Sequence, residues 1–331
     1  MNYRQFGNTD LRVSEIGFGT WAIGGSANVG GVEIGWGPSD DAVSVQAIHA
    51  ALDAGINFFD TADFYGLGHA ETLLGNTLAN RPDVLIASKV GQRIGADGKI
   101  AIDYSKEYII DACEQSLRRL KRSHIDFHHL HVARLQHLQQ GECIEAMEQL
   151  QQQGKVRYWG ASLITFAPEP EAAHLLALQK GHGFQLVLNL INQLAVPIMR
   201  QAASQGYGII ARMPLQFGLL TGRIKPGASF SSEDHRSYRL TPNIIQTTID
   251  VLRTEMLPMA KQYNCSLASL ALSFVLGFPE VSTVIPGIRT PQHVALNTEG
   301  LVQLSAADHA YLQSLFASRW QPVMALMQAA G

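Results

Sequence analysis

The sequence predicts an α/β fold of parallel strands and crossover helices, a closed (β/α)8 barrel. Three observations carry this expectation. Short apolar runs occur eight times along the chain, at 16–20, 57–60, 84–89, 125–131, 156–162, 185–190, 208–213 and 282–286. Helical periodicity fills most of the intervals, and parallel strands need such crossovers. No Pro/Gly/Ser-rich linker or composition shift divides the 331 residues, a length that α/β barrels reach as one domain, here 1–331. An open doubly wound sheet meets the same alternation, so the motifs must choose.

The elements follow in order. Residues 3–6 and 11–16 read as a hairpin around the turn Gly7-Asn8-Thr9-Asp10. Ser39 is placed to cap a helix with Val43, Ala47, Ile48, Ala51 and Leu52 on one face, and Gly55 stands where a left-handed cap would end it. Ser105 opens a second helix carrying Ile109, Ile110, Cys113, Leu117 and Leu120. A third carries Ile144, Met147 and Leu150 and stops at Gly154. Thr241-Pro242 offers an N-cap with proline in the first turn, and Ser305 to Asp308 resembles a capping box. The polar, glycine-containing stretch 217–240 is a candidate mobile loop over a site.

Composition excludes some partners. A formal net charge of -3 gives no electrostatic reason to expect nucleic acid or an anionic membrane. The only cationic cluster, Arg118, Arg119, Lys121 and Arg122, falls at a helix end, where cations suit the dipole, and reads as solvated. Cys113, Cys143 and Cys265 form no CxxC spacing, and an odd number argues for reduced thiols. The first residues lack a signal-peptide apolar stretch, and no apolar run approaches a membrane span. A cytoplasmic protein is expected.

Gly17-Phe18-Gly19-Thr20-Trp21-Ala22 matches a dinucleotide-binding GxGxxA pattern. The glycines that follow, Gly24, Gly25, Gly30 and Gly31, cannot begin the helix that motif needs. The segment reads instead as a strand end and a long loop. That favours the barrel, where chemistry gathers at the C-terminal strand ends. Asp60 ends the 57–60 strand with Tyr65 in the next loop, Lys89 ends 84–89, and His131 ends 125–131. Alone, each is a turn residue, a surface lysine or a satisfied histidine. Four at successive strand ends form a specific pattern.

With these residues the chain resembles the aldo-keto reductase superfamily, of the bacterial general aldo/keto reductase type, over essentially its whole length. Residues 57–66 match that family's Asp-Thr-Ala-x-x-Tyr-Gly segment, Leu130-His131 its Leu-His strand end, and Glu71-Thr72-Leu73-Leu74-Gly75 its following helix. The resemblance implies a TIM barrel closed at its base by the N-terminal hairpin, with an extra C-terminal helix. It also implies a catalytic tetrad of Asp60, Tyr65, Lys89 and His131. A phenol titrates near ~10, and a neighbouring ammonium eases release of its proton to a carbonyl oxygen that gains charge on hydride attack. Asp60 would position Lys89, and His131 would orient the carbonyl and help the proton relay.

The resemblance also implies a nicotinamide cofactor, NADP(H) preferred and NAD(H) possible. Ser162 ends the fifth strand, with Leu163 where the family usually has asparagine. Gln185 and Asn189 fit a Gln-x-x-x-Asn pattern in which Gln185 contacts the carboxamide. Arg212, with Pro214 and Leu215, stands where an aromatic often stacks on the nicotinamide; a guanidinium could stack there or bind the substrate. Gly218 and Leu220 match a segment of the loop over the pyrophosphate. Gly287 and Arg289 match an Ile-Pro-Gly-x-Arg segment in which Arg289 would fork onto a 2'-phosphate. His293 and Asn297 fall at adenine-side positions, with Leu296 replacing a common glutamate. Trp21, Phe64 and Trp159 are candidate pocket linings that also fit core packing, and Trp21 alone is assigned to the substrate pocket. The expected substrate is a small carbonyl or sugar-like compound.

Two other functions fit parts of the pattern. His129-x-His131 has a spacing metals use, as in a metal-dependent hydrolase, but Lys89 and Arg212 in the same ring oppose a dication, and no metal is expected. A non-enzymatic, nicotinamide-binding regulatory subunit would keep the same tetrad.

Overall fold

The computed structural model describes residues 1–330. At its centre is an eight-stranded sheet: β1 (Phe18–Gly19), β2 (Phe58–Asp60), β3 (Leu85–Val90), β4 (Ile125–His131), β5 (Val156–Ser162), β6 (Gly183–Val187), β7 (Gly208–Arg212) and β8 (Thr283–Ile285). Neighbours pair in chain order and in parallel. Parallel bridges from Ile16 to Val284 and from Gly19 to Gly287 join the first strand to the last. A Cβ at Gly19 would lie 2.9 Å from the Pro286 carbonyl that accepts the Gly19 N–H, so this seam needs glycine. The seam closes the sheet into a TIM barrel and rules out the open doubly wound alternative.

Each strand is followed by a barrel helix, α1 (Asp41–Asp53), α2 (His69–Leu78), α3 (Lys106–Leu120), α4 (Glu142–Gln152), α5 (Glu169–Leu178), α6 (Val196–Ser204), α7 (Leu267–Leu276) and α8 (Pro291–Thr298), with the additional helices Leu135–Gln140 after β4 and Arg236–Arg239, Pro242–Val251 and Leu257–Gln262 after β7. Their apolar faces pack on the outer sheet surface in one large core that includes Ala47, Ile48, Leu117, Leu150 and Leu272. The barrel interior has a separate base layer. Phe6, Leu11 and Val13 of the hairpin formed by Tyr3–Gln5 and Arg12–Ser14 pack on Phe58, Ala87, Phe127 and Ile210. The hairpin therefore plugs the bottom of the barrel. A Cβ at Gly208 would sit 2.4 Å from the Phe6 ring, so this strand starts with glycine. The chain ends in a helical run, Ala306–Leu315 and Gln321–Ala330, joined through one wide turn at Phe316–Trp320. No helix among the described residues is long and apolar enough to cross a membrane.

Several boundaries differ from expectation for local reasons. The cap of α1 is Asp40, whose carboxylate accepts the Val43 N–H at 3.0 Å; Ser39 donates instead to the Ile23 carbonyl at 3.3 Å. The sixth strand is 183–187 rather than 185–190, because the Asn189 side chain accepts the N–H groups of Ile191 and Asn192 and bends the chain there. The first and last strands are narrower than 16–20 and 282–286. Ser305 caps its helix, but its own N–H goes to the Tyr263 hydroxyl rather than to Asp308. The cluster at the end of α3 is not simply solvated. Arg119 pairs with buried Glu71 at 2.8 Å, and Arg122 donates to the carbonyls of Leu78, Arg81 and Val84. The caps at Ser105 and Thr241 and the positive φ of Gly55 are as expected. Cys113, Cys143 and Cys265 are free thiols.

At the C-terminal rim two unforeseen hairpins rise, Ala27–Val29 with Val32–Ile34 and Gln92–Ile94 with Ile100–Ile102. The stretch 217–240 crosses the same rim and includes a short helix, Arg236–Arg239.

Candidate active site

Strand pairing sets the site. Asp60 at the end of β2 is in register with Ala87 of β3, which brings Lys89, two residues on, alongside the β2 loop. Asp60 and Lys89 are almost wholly buried. The Lys89 ammonium donates to Asp60 Oδ2 at 2.7 Å, to the Thr61 carbonyl at 2.7 Å and to the Tyr65 hydroxyl at 3.0 Å. An ammonium has three hydrogens, and all three are engaged. The Tyr65 oxygen therefore accepts from Lys89, and its own hydrogen is left for the cavity.

Asp60 is fixed from the other side as well. Gln185 Nε2 donates to Asp60 Oδ1 at 2.6 Å, and Ser162 Oγ donates to Gln185 Oε1 at 3.2 Å. One polar chain thus runs from β5 through β6 and β2 to β3 and the phenol. His131 ends β4 with its ring 6.0 Å from that of Tyr65, and the Trp21 indole packs edge-on against Tyr65 at 4.8 Å. The Trp21 Nε1 and His131 Nδ1 atoms are buried without hydrogen-bond partners.

Electrostatics divide the roles. Burial opposes the charge on Lys89, but Asp60 and Tyr65 more than offset it, and its pKa is raised. Burial drives the Asp60 carboxyl up while Lys89 and Gln185 pull it back; with three acceptors around the ammonium, the pair is ionised. Burial pushes the Tyr65 phenol up, against the pull of Lys89, so it keeps its proton at neutral pH. Burial, with Lys89 and Arg212 nearby, holds His131 well below the usual histidine range. A neutral imidazole can still donate a hydrogen bond through its N–H, but it parts with that proton far less readily than a phenol does.

These residues form the floor of a cavity of about 710 Å³. Asp60, Tyr65, His131 and Trp21 line it, and Lys89 lies behind them. Of the residues assigned to a cofactor, Gln185, Arg212, Pro214, Leu215, Gly218, Gly287, His293 and Asn297 also line it. Ser162 stands behind Gln185. Leu220 is fully buried in the core, and the Arg289 side chain sits at the rim, donating to the Trp36 carbonyl at 3.2 Å. Asn189 is turned into the scaffold, donating to Met213 and Gln216. His128 and His129 are buried within the barrel. Among the described residues no three His, Cys, Asp or Glu side chains gather as a metal site.

The stretch 217–240 lies over the site as expected, but sequence reasoning missed the side chains that close the roof. Trp36, from the loop after β1, donates its indole N–H to Nε2 of His235 at 3.2 Å, and a backbone bridge joins Trp36 to Asp234. Arg236, Arg239 and Met327 also reach the cavity. Trp36 and His235 are 199 positions apart, and no local pattern announces such a contact.

The profile of the aldo/keto reductase family matches residues 15–317. The chain belongs to the aldo/keto reductase family. It is an oxidoreductase of the carbonyl and alcohol chemistry that defines the family. The chain is similar to an L-galactose dehydrogenase of Arabidopsis thaliana, 27% identical over 92% of this chain and 89% of that one. An NADH-specific methylglyoxal reductase of Escherichia coli K12 is 27% identical, covering 93% and 96%. The structure of a glycerol dehydrogenase of Gluconobacter oxydans superposes with a TM-score of 0.80 at 28% identity, covering 96% and 95%.

The cavity suits the elongated dinucleotide that aldo/keto reductases take. It runs from Asp60 and Tyr65 past Gly287 to Asn297, whose Nδ2 is buried without a partner. The far end also holds Arg223 and His293, and Nδ1 of His293 accepts the Arg289 N–H at 3.3 Å. An orphaned amide donor at the same end as the Arg223 guanidinium fits a nucleotide.

Proposed function

We propose that this aldo/keto reductase reduces aldehydes or ketones to alcohols, and runs the reverse reaction, with Tyr65 as the general acid and base. The observation that carries the reading is the Lys89 ammonium, whose three hydrogens go to Asp60, Thr61 and the Tyr65 oxygen. A carbonyl carbon that gains a hydride leaves negative charge on its oxygen. Tyr65 donates its proton to that oxygen, and Lys89 stabilises the resulting phenolate. Asp60 holds Lys89, and Gln185 holds Asp60. Neutral His131 offers a hydrogen bond that orients the carbonyl without competing to protonate it. Trp21, with its unpaired indole N–H, flanks the substrate and offers it a donor.

Bound nicotinamide supplies the hydride equivalent. Gln185 with Ser162 behind it, Pro214 and Leu215 would hold the nicotinamide end, with Arg212 beside it on the substrate side. Gly218, Gly287 and the Leu220 turn would follow the diphosphate, and Arg289, His293 and Asn297 the adenosine end. Arg289 and Arg223 at that end favour NADP(H), with NAD(H) as the weaker partner. Relatives named for methylglyoxal, glycerol and L-galactose support a small carbonyl or sugar-like substrate. Free thiols support a reducing, cytoplasmic setting, with residues 1–331 acting as one catalytic domain.

Nicotinamide fluorescence titration followed by a panel of aldehydes and ketones tests this reading. Saturable NADPH binding and turnover of at least one carbonyl class are expected. Binding without turnover across the panel would favour a regulatory role instead.

A further inference from the structure

Arg212 is a partly buried cation on the cavity wall, held by neutral acceptors. Its Nη2 donates to the Leu163 carbonyl at 3.1 Å and to Thr165 Oγ1 at 3.2 Å, and its Nη1 donates to the Met213 thioether, a weak acceptor, at 3.1 Å. Its Nε is buried without a partner. It forms no ion pair with a described carboxylate, and neutral acceptors hold it in place.

Arg239, on the same wall, makes the Arg212 charge harder to keep. Asp60 acts on Arg212 but is already neutralised by Lys89. Glu33 lies among the rim hairpin residues and accepts from Asn28 at 2.6 Å. Arg236 is paired with Asp234. A guanidinium taken out of water without a counter-ion is costly, and an incoming anion removes that cost. Arg212 ends β7, the strand next to that of Gln185, which holds Asp60, and it lines the same cavity as Tyr65, Asp60 and His131. The anion it meets is therefore next to the reacting carbonyl, away from the distant Arg223 and His293 end.

We propose that Arg212 is the receptor for a carboxylate on the substrate, so that the natural substrate is an oxo acid: an aldehyde or ketone that carries a carboxylate within reach of β7. This names the substrate class of the reaction proposed above and rests on that reading. The carbonyl oxygen meets Tyr65, and the carboxylate receives a charged hydrogen bond from Arg212.

Matched acid and ester pairs test it, with glyoxylate against ethyl glyoxylate and para-formylbenzoate against its methyl ester. In the unaltered protein at least one acid exceeds its ester in kcat/KM by about tenfold or more, the size of one charged hydrogen bond. Arg212→Gln lowers that acid-to-ester ratio by about the same factor, and Arg212→Lys restores part of it, since a cation in place is what matters. A ratio near one in the unaltered protein for both pairs overturns the proposal. So does a ratio unchanged in Arg212→Gln while NADPH affinity falls, which assigns the residue to a cofactor phosphate. If neither member of any pair is reduced, carbonyl reduction itself fails. Calorimetric titration of para-(hydroxymethyl)benzoate and its methyl ester then decides Arg212 alone: tighter binding of the acid that is lost in Arg212→Gln supports the receptor, and equal binding refutes it.

Discussion

Gln185 donates to Asp60 across the barrel at 2.6 Å, and Ser162 holds Gln185 from behind at 3.2 Å. The family resemblance leads one to expect Gln185 at the carboxamide of a cofactor. In the structure its amide nitrogen braces the carboxylate that braces Lys89. Gln185→Leu leaves Asp60 Oδ1 buried without this donor, at a cost of about 1–3 kcal/mol. The hydrogen bond favours the ionised carboxyl, so its loss raises the Asp60 pKa. The acid limb of the pH–rate profile should move to higher pH, and the urea midpoint should fall. An unmoved limb would show that Asp60 needs no support from Gln185.

What could be read in advance followed from chain order and strand period. Asp60, Lys89 and His131 each end an apolar run, and a closed parallel barrel brings all such ends to one rim. Tyr65 came with them because its loop is short. The missing parts depend on side chains meeting across the fold. Asn189 bends the chain after β6 with its own carboxamide, which moved a strand boundary that apolar periodicity alone placed later. Arg119 and Arg122 looked like solvated cations because their acceptors, Glu71 and three carbonyls, lie in other segments. The Trp36 and His235 contact joins two irregular loops with no periodicity to read.

That contact closes the roof. His235 Nδ1 lies 3.1 Å from the Gly35 carbonyl, which leaves its Nε2 free to accept the Trp36 N–H. Trp36→Phe keeps an aromatic ring and removes one neutral hydrogen bond, worth about 1 kcal/mol. Stopped-flow dissociation of NADPH should become about fivefold faster. An unchanged rate would mean that the roof does not retain the cofactor.

Acid should destabilise the fold through β4. Burial pushes His128 down to about 4 and holds His129 and His131 well below the ordinary histidine value. Between those folded values and about 6.5, the unfolded chain binds more protons than the folded one, so stability falls as pH falls. Raised Asp60 and Asp63 work in the opposite sense, but His137, His182, His235 and His293 are lowered as well and add to the three on β4. The urea midpoint should drop steadily from pH 7 towards pH 5, and His128→Gln should flatten the slope. A flat profile in the unaltered protein contradicts the buried neutral assignments.

Arg289 anchors to the Trp36 carbonyl through one nitrogen and keeps further donors. Arg289→Ala should weaken NADPH more than NADH, by about tenfold in relative affinity, as expected for one charged hydrogen bond. Parallel Kd measurements with both cofactors read this directly. An unchanged ratio would remove Arg289 from phosphate recognition.

The central claim concerns the single hydrogen that Lys89 leaves on Tyr65. Turnover and NADPH Kd measured together for Tyr65→Phe test it most directly. Loss of the hydroxyl should cut kcat by about 10²–10⁴-fold while the Kd stays within about twofold. Near-normal turnover with binding intact would mean that the proton comes from somewhere else.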